Sequence, residues 1–513
     1  MTPGTVGDGG DGHDTAACAA AAAKVAVAAG DAGPSYLAGT QAQAGAVTSS
    51  LLPSVPRARE AGAGVLQDGA EPAEIRRAVI ALAWPAVIEY VLLTLIGVAN
   101  MVMVGRVGAA AVAAVGICNQ PIFFAQAIFQ ALSVGSTAIV ARHVGAGETM
   151  EASEASRQSV VLTLILGLLS SIPFLLWAQG VVTWMGAPED VVVPATTYMR
   201  IVGGGTVFTV ISIVVGAILR GAGDTQTPMR VNGVANVVNV VVGLVLIFGY
   251  FGVPAMGVAG AAYGALIARV VSTVLFLAAL YRGRTKLPMS IHQSHRLTRP
   301  VVARIFNVGL PAAAEQFVMR GGQVLFARII ASLGTVAYAA HQITVNAESL
   351  GYTPAQALGV ASTTIVGQNL GAGQPKMADQ GARETTRMAV AFMIVVGVAV
   401  FVFTVPILRM YTPDLRVINM AIFNMRLYAF ALPAMGVYFV LVGGLRGAGD
   451  TRFPLLISIA GIWCVRLVLG NYLALRLGYG LPGAWVAMVA DHWIRALTCY
   501  YRFASGAWKR ARV

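Results

Sequence analysis

The chain has 513 residues, of which 57% are hydrophobic and 11% charged, and its mean hydropathy is +0.73. Soluble globular domains carry about a quarter charged residues, so the composition excludes an ordinary soluble protein. The formal net charge of +13 does not indicate nucleic-acid binding, because the basic residues are gathered in a few connections between apolar segments.

Residues 1–73 form a weakly charged, low-complexity segment that contains the run AACAAAAAKVAVAAG. Such a composition does not build a packed core, so we predict a disordered N-terminal tail. The segment lacks the ordered charged, apolar and cleavage regions of a secretory signal. A misplaced start codon is the alternative, which leaves open whether the native protein contains these residues.

The rest of the chain is divided into long apolar segments that predict transmembrane helices. Residues 160–186 and 231–268 contain no Asp, Glu, Lys or Arg, and a helix needs about 20 apolar residues to cross a bilayer. Reading every segment by this length gives about twelve helices. Segments such as VVLTLILGLL do not alternate apolar and polar residues, which excludes a membrane β-barrel. The prediction is an all-α polytopic membrane protein.

Basic residues predict the orientation and the domain boundaries. They cluster in residues 282–304, a predicted cytoplasmic cross-over, and in residues 501–513, a predicted cytoplasmic tail. Because basic residues favour the cytoplasmic side, we expect both termini in the cytoplasm and an even number of helices in a plasma (inner) membrane. The cross-over then separates an N-terminal six-helix bundle, residues 74–281, from a C-terminal one, residues 305–500.

The two predicted bundles repeat one another in sequence at a nearly constant offset. The motif Arg-Gly-Ala-Gly-Asp-Thr begins at Arg220 and again at Arg446, an offset of 226, and FQALSVGSTAIVARHVGAG matches AQALGVASTTIVGQNLGAG at the same offset. The offset falls to 223 near the C terminus, where Gly257 pairs with Gly480. Since each repeat holds an even number of helices, we expect pseudo-symmetric halves related by an axis along the membrane normal.

Two glutamates at matched positions are the leading candidates for a coupling-ion or substrate site. Glu89 lies one turn after Pro85 in the first helix, and Glu315 lies one turn after Pro311 in the seventh. Ionisable groups inside a membrane are costly and mark functional sites, and burial favours the protonated form of a carboxyl group. Such a group can take up and release a proton. A structural hydrogen bond between helices is the alternative.

Other polar side chains in the helices are candidates to line a substrate cavity: Gln120, Gln316, Arg320, Gln342 and Asn346. For any single amide, a structural hydrogen bond between helices is the simpler interpretation. Arg320 could instead pair with Glu89, which would favour the ionised carboxylate. Further charges in or near the helices stay unassigned, because long side chains can reach the membrane surface; they are Arg269, Glu348, Arg426, Arg466 and Asp491.

The two RGAGDT loops are predicted to shape the inner gate. Their glycines permit tight turns, Asp224 and Asp450 can cap or pair locally, and Arg220 and Arg446 satisfy the bias for basic cytoplasmic loops. The glycine patterns that bind nucleotide phosphates are missing in usable context, and the cysteines show no metal-ligand spacing. We therefore expect no cofactor and no metal, and transport driven by an ion gradient.

Together these motifs resemble the multidrug and toxic compound extrusion (MATE) family over residues 78–500. The resemblance lies in the doubled R-G-x-G-D-T-x-x-P loop, the WP…E and LP…E starts of the two bundles and the MVGRVG that closes the first helix. It implies a V-shaped cavity between the bundles, with Glu89 and Glu315 as coupling-ion and substrate sites. Family members often carry an Asp where this chain has Asn100, and an amide cannot titrate, so the two glutamates are the stronger candidates for the coupling-ion or substrate site, with Asn100 as a third.

The resemblance implies a cation-coupled antiporter, not an enzyme, which exports cationic or amphipathic organic compounds such as drugs in exchange for H⁺ or Na⁺ by alternating access. A flippase of lipid-linked precursors is the nearest alternative, although such proteins usually have more helices and a strongly cationic cavity. An intramembrane enzyme would need converging His, Asp or Ser side chains, which we do not find in the sequence. We expect a monomer in the lipid bilayer with a small organic substrate and no nucleic-acid partner.

Overall fold

The computed structural model describes residues 64–282, 287 and 296–510, which are almost entirely helical and contain no strand. The first half comprises α1 (Pro72–Gly105), α2 (Ala109–Ala146), α3 (Thr149–Leu176), α4 (Ala178–Trp184), α5 (Glu189–Tyr198), α6 (Thr206–Gly221), α7 (Gln226–Phe248) and α8 (Val258–Tyr281). The second half comprises α9 (Arg299–Ala331), α10 (Thr335–Gly371), α11 (Pro375–Val402), α12 (Thr404–Tyr411), α13 (Leu415–Ala448), α14 (Arg452–Ile459), α15 (Val468–Asn471) and α16 (Gly480–Ala504). π-Helical segments join α5 to α6 (Met199–Gly203) and extend α14 and α15 (Ala460–Leu467 and Tyr472–Arg476).

Eight helices of the described chain are long and apolar enough to cross a membrane, counting residues 452–476 as one helix, and the bent pair α5–α6 makes nine. The three other long helices, α9, α10 and α16, are the counterparts in the sequence repeat of α1, α2 and α8, which meet the criterion. They fall short in composition because polar or charged residues, such as Arg320 in α9, Gln342 in α10 and Asp491 in α16, interrupt them. The protein is therefore an all-α polytopic membrane protein, with eight or nine helices of the described chain long and apolar enough to cross the bilayer.

The halves repeat each other in their hydrogen bonds as well as in sequence. The Thr137 hydroxyl of α2 donates to the carbonyl of Ala217 in α6 at 3.1 Å. The Thr363 hydroxyl of α10 donates to the carbonyl of Gly443 in α13 at 2.9 Å, so both partners of the bond recur at the offset of the repeat. The register slips near the C terminus because the turn between α7 and α8 is longer than its counterpart before α16.

Helix packing across their interface joins the two halves. The first helix of each half packs on the second helix of the other, so that α1 lies against α10 and α9 lies against α2. At the second contact, the backbone of Gly309 in α9 approaches the carbonyl of Ala131 in α2, and Gly135 approaches the carbonyl of Ile305. A Cβ atom at either glycine would overlap that carbonyl, so glycine is required for this close packing.

The residues before α1 contact the end of α10, and Arg502 near the end of α16 contacts Asp450 just after α13, so α1 begins and α16 ends at one face, which we call the terminal face. Here the backbone of Gly145 in α2 touches the carbonyl of Gln368 in α10, and that of Gly371 touches the carbonyl of Arg142. The offset of the repeat interchanges the two contacts, so the halves meet symmetrically.

Two hydrogen bonds reinforce this closure. The Thr364 hydroxyl donates to the carbonyl of Arg220 at 2.9 Å, and the Gln368 amide donates to the carbonyl of Gly221 at 2.9 Å. Both acceptors lie in the first RGAGDT loop, and both donors lie in the second half. We call these contacts, together with those of Gly145 and Gly371, the terminal seal.

The predicted N-terminal tail, residues 1–73, extends too far along the chain. Residues 1–63 lie outside the described residues, but Gly64 N–H donates to the Gln368 side chain at 2.8 Å and Leu66 N–H donates to the Asn369 side chain at 2.9 Å. Leu66 is buried. Residues 64–66 therefore belong to the fold, because the amide side chains that end α10 satisfy their backbone.

The predicted cross-over and C-terminal tail are corrected in the same way. Residues 283–286 and 288–295 of the cross-over lie outside the described residues, and α9 already begins at Arg299. At the other end, α16 continues to Ala504, and the ring of Trp508, fully buried, stacks on Phe503 with 4.4 Å between centroids. An aromatic residue among the basic ones therefore anchors residues 501–510 to the bundle, whereas 511–513 lie outside the described residues.

Candidate functional site

A cavity of about 510 Å³ lies between the two halves. Six aromatic side chains line it: Tyr90, Phe123, Phe124, Phe317, Tyr352 and Phe439. Six amides join them: Gln120, Gln126, Gln130, Asn232, Gln316 and Gln356. Phe124 of α2 stacks on Phe317 of α9 with 6.2 Å between ring centroids, so aromatic contact crosses from one half to the other. An apolar and aromatic lining with a few polar groups suits an amphipathic organic molecule.

Glu89 is buried in α1 at the wall of this cavity. Its Oε1 accepts hydrogen bonds from Arg220 Nη1 at 2.9 Å and from Asn232 Nδ2 at 2.9 Å. Its Oε2 is also buried and has no hydrogen-bond partner among the described residues. The carboxylate therefore combines an ion pair on one oxygen with an unused acceptor on the other.

Glu315 occupies the equivalent place in α9, and it is 1% exposed. Its Oε2 accepts from Arg446 Nη2 at 2.7 Å. Its Oε1 accepts from the hydroxyls of Tyr438 and Ser458, each at 3.2 Å. Both carboxylate oxygens are thus occupied, in contrast to those of Glu89.

The two sites are copies of one arrangement. Arg220 follows Glu89 by 131 residues, and Arg446 follows Glu315 by the same number. Asn232 follows Glu89 by 143 residues, as Ser458 follows Glu315. The arginines of the RGAGDT motifs were predicted to act as loop charges, but each ends a helix, α6 or α13, and turns its guanidinium inward to a glutamate.

The aspartates of the two RGAGDT motifs stabilise the loops locally. The carboxylate of Asp224 accepts from the backbone N–H and the hydroxyl of Thr227, at 2.9 and 2.6 Å, in the first turn of α7. Asp450 forms an ion pair with Arg502 at 2.9 Å, which ties the second loop to the end of α16. Since the first loop also supplies carbonyls to the terminal seal, it connects Glu89 to the closed face.

The predicted cavity residues divide into two groups. Gln120, Gln316 and Arg320 line the cavity, and Arg320 donates to Gln323 at 3.4 Å, whereas the hydrogen bonds to Glu89 come from Arg220 and Asn232. The suggested pairing of Arg320 with Glu89 is therefore wrong.

Asn100, Gln342 and Asn346 are not among the residues that line the cavity. Gln342 and Asn346 are exposed and share one face of α10, one turn apart, and the Gln342 amide donates to the Tyr338 hydroxyl at 3.5 Å. Asn100 lies in the last two turns of α1, away from the terminal face. Helical phase and depth, which the sequence does not provide, separate these residues from the cavity.

A second charged cluster, which the sequence did not assign, lies inside the second half. Asp491 of α16 is fully buried and forms ion pairs with Arg466 at 2.7 Å and Arg495 at 2.8 Å. The guanidinium of Arg495 lies 4.9 Å above the ring of Tyr438, whose hydroxyl binds Glu315. The cluster is therefore in contact with the Glu315 site. Its signal in the sequence was an acid and two arginines within apolar helices.

Arg269 is the other cavity residue that stayed unassigned in the sequence. It lies in the middle of α8, on the cavity wall. With Arg220, Arg320 and Arg446 it makes four arginines among the described residues of this wall, against one glutamate, Glu89.

Comparison with known proteins agrees with this architecture. Residues 85–245 and 311–473 both match the MatE family model, one match in each half. The chain is 31% identical over 450 residues to the probable multidrug resistance protein NorM of Thermotoga maritima, which covers 86% of this chain and 95% of that protein.

Solved structures share the fold. An outward-facing multidrug resistance MATE family transporter of the MOP superfamily has a TM-score of 0.78 at 22% identity, covering 85% of this chain and 97% of that one. A MOP superfamily transporter from Pyrococcus furiosus, described as having a binding pocket of reverse polarity, has a TM-score of 0.77 at 22% identity, covering 85% and 96%. By the two family matches and the similarity to NorM, the chain belongs to the MATE family of multidrug resistance efflux transporters.

Proposed function

We propose that this chain exports amphipathic organic compounds across the plasma membrane in exchange for a cation, by alternating access. The observation that carries the proposal is the buried Glu89, which lines the cavity between the halves and has one carboxylate oxygen without a hydrogen-bond partner in the described chain. An acid in this position can be reached by an ion that enters the cavity.

The proposed orientation places the terminal face in the cytoplasm. Arg142, Arg220, Arg446 and Arg502 lie at or near this face, as does Arg282, which follows the end of α8. Basic residues favour the cytoplasmic side of a membrane. With this orientation, the terminal seal closes the cytoplasmic side of the cavity.

The proposed coupling step is the capture of a proton by Glu89. A neutral carboxyl group loses most of its attraction for the guanidinium of Arg220, and the loss of one partner from a buried ion pair costs about 3–5 kcal/mol. The carbonyl of the same arginine accepts the Thr364 hydrogen bond of the terminal seal. Proton capture would therefore release the side chain of a residue that holds the two halves together, which favours opening to the cytoplasm.

A proton fits this site better than a sodium ion. The guanidinium nitrogens lie 2.9 Å from Glu89 and 2.7 Å from Glu315. A sodium ion bound to either carboxylate would lie close to the arginine, and two like charges about 4 Å apart repel by about 4 kcal/mol at an effective dielectric constant of about 20. A proton instead forms a covalent bond with the unused Oε2 of Glu89 and needs no further ligands, whereas a sodium ion would also need other oxygen ligands close to the arginine.

A ligand can shift the carrier between its states only if it binds them unequally. In this scheme the proton favours the state with an open terminal seal, and release of the proton to the cytoplasm restores the Glu89–Arg220 ion pair. Substrate then enters from the cytoplasm and leaves after the seal has closed. The proton and the substrate drive opposite steps of the cycle, so their movements are coupled as an exchange.

The test is transport by the purified protein in liposomes, with a fluorescent amphipathic substrate and either a pH gradient or a sodium gradient. We expect the pH gradient to drive transport and Glu89→Gln to abolish it, with Glu189→Gln, an exposed acid at the start of α5, as the matched control. Normal pH-driven transport by Glu89→Gln would contradict the assigned role. Transport driven only by sodium would refute the choice of proton.

A flippase of lipid-linked precursors remains the second candidate, because arginines outnumber acids on the described cavity wall. One structural neighbour is described as having a pocket of reverse polarity, which shows only that this fold has been found with such a pocket. Movement of a fluorescent lipid phosphate across the liposome membrane, without transport of soluble compounds, would favour this alternative.

A further inference from the structure

We infer that the cavity selects amphipathic organic anions over cations. This inference rests on the proposed function, since it takes the cavity as the place where the transported compound binds. The resemblance to the family implied cationic cargo, but the described wall of the cavity carries the side chains of four arginines and a single glutamate.

Two of these four arginines are neutralised by ion pairs with glutamates. Arg220 is paired with Glu89 at 2.9 Å, and Arg446 is paired with Glu315 at 2.7 Å. Neither pair leaves a net negative charge for a cationic substrate. The acids that a cation would need are therefore already occupied by the protein's own cations.

The two other arginines have no acid beside them. No carboxylate in the described parts of the chain forms an ion pair with the guanidinium of Arg269 or Arg320. Arg320 donates a long hydrogen bond to the neutral amide of Gln323. With both ion pairs formed, the cavity holds a net charge of about two positive units, one contributed by each half.

These two arginines lie at similar positions along their helices. Since a helical turn contains about 3.6 residues, Arg269 lies about three turns after the start of α8, and Arg320 lies about three turns before the end of α9. Both of these helix ends lie at the face opposite the terminal face. Because each turn rises about 5.4 Å, both arginines lie roughly half a membrane thickness from that face. An anion at this depth can be attracted by both.

The aromatic lining by itself would favour a cation, so the two effects have to be compared. A cation over an aromatic ring gains roughly a two- to fivefold increase in affinity at an exposed site and about thirtyfold at a desolvated one. A hydrogen bond from a charged group is worth roughly ten- to a hundredfold, and guanidinium groups bind carboxylates and sulfonates through paired donors. Two arginines therefore outweigh the rings.

The aromatic residues then bind the rest of the substrate. Phe124 and Phe317 contact each other across the halves, and Gln120 and Gln316 place amides on the same wall. A flat aromatic body would pack on these rings, because ring faces prefer offset stacking, while its acidic group lies against Arg269 or Arg320. The expected substrate class is an aromatic carboxylate or sulfonate.

The experiment compares three fluorescent probes in proteoliposomes with an imposed pH gradient: carboxyfluorescein as the aromatic anion, ethidium as the aromatic cation, and a short-chain fluorescent phosphatidic acid. We expect gradient-driven transport of the anion and much less of the cation. Transport of the lipid phosphate alone would show that the anion is a lipid headgroup, which supports anion selectivity and overturns the proposed export of soluble compounds.

Variants then test the two arginines. We expect Arg269→Gln and Arg320→Gln each to weaken binding of the anionic probe to the detergent-purified protein at least tenfold, and Arg320→Lys to lose less. Arg328→Gln is the matched control, because Arg328 lies two turns further along α9 and is not among the cavity-lining residues. Binding is measured by fluorescence polarisation on protein that elutes as a single species.

The outcomes separate the two proposals. Gradient-driven transport of ethidium without the anion would overturn the inference and leave the antiporter intact. The absence of gradient-driven transport of all three probes, together with anion binding that depends on Arg269 and Arg320, would overturn the proposed function and leave the selectivity standing. Anion binding that is unchanged in both glutamine variants, with both proteins folded, would also overturn the inference.

Discussion

Removal of Arg446 tests how much the buried pair in the second half contributes to stability. In Arg446→Met, Glu315 keeps only the hydroxyls of Tyr438 and Ser458 as donors, while it remains 1% exposed. Breaking a buried ion pair by removing one partner costs about 3–5 kcal/mol, because the other charge is left uncompensated. The entropy of unfolding scales with chain length, so for a chain of this length the lost stability lowers the unfolding midpoint by about 3–5 °C.

A double variant identifies the cause of this loss. The double variant Glu315→Gln with Arg446→Met has no buried charge at this place and should recover part of the lost stability.

The measurement is thermal unfolding of the detergent-purified proteins at one fixed pH. A midpoint for Arg446→Met equal to that of the unaltered protein would show that the pair contributes nothing to stability. A double variant less stable than either single one would show that packing, and not charge, dominates at this position.

Three further changes test other parts of the structure. Gly145→Ala should push apart the helix ends of the terminal seal, since a Cβ atom there overlaps a carbonyl, and spin-label distances across that face should increase; Gly180→Ala, where there is open space, should change nothing. Asp491→Asn removes the ion-pair partner of two buried arginines and should lower stability by about 3–5 kcal/mol, seen as a lower unfolding midpoint; an unchanged midpoint would show that the cluster is dispensable. Leu66→Ala should cost about 2–5 kcal/mol, because Leu66 is only 5% exposed, whereas Asp68→Ala at an exposed position should leave the midpoint unchanged; equal midpoints for the two variants would show that Leu66 adds nothing to the core.

Each half has one glutamate–arginine pair, but the two pairs differ in how the second carboxylate oxygen is bonded and in the charges nearby. Glu89 faces the cavity with one oxygen unused, whereas Glu315 has both oxygens bonded and contacts the cluster of Asp491, Arg466 and Arg495 through Tyr438. The first half has Ala268 where the second has Asp491, at the offset of 223. We therefore expect the first half to exchange the coupling proton and the second to hold its pair more rigidly.

Sequence patterns predicted the parts of this protein that depend on local composition. Apolar length predicted the helices, and the repeat at an offset of 226 predicted that Glu89 and Glu315 would be equivalent. The same offset relates Arg220 to Arg446, so the paired arginines were visible as a repeated motif. Their role was misjudged, because a loop arginine satisfies the charge bias of a membrane protein whether its side chain points outward or inward.

By itself the sequence determined that the chain lies in a membrane, that it is helical, and that it consists of two equivalent halves, because hydropathy and repetition are properties of the linear chain. Only the tertiary structure decided that Arg220 reaches Glu89 from a helix far along the chain, and that Gln342 and Asn346 lie away from the cavity. It also decided that Arg269 and Arg320 lie on the cavity wall with no ion pair to a carboxylate of the described residues. These facts depend on the rotation of each helix about its axis and on the close approach of glycine backbones between the halves. Both are set by packing over the whole bundle, which no short segment of the chain encodes.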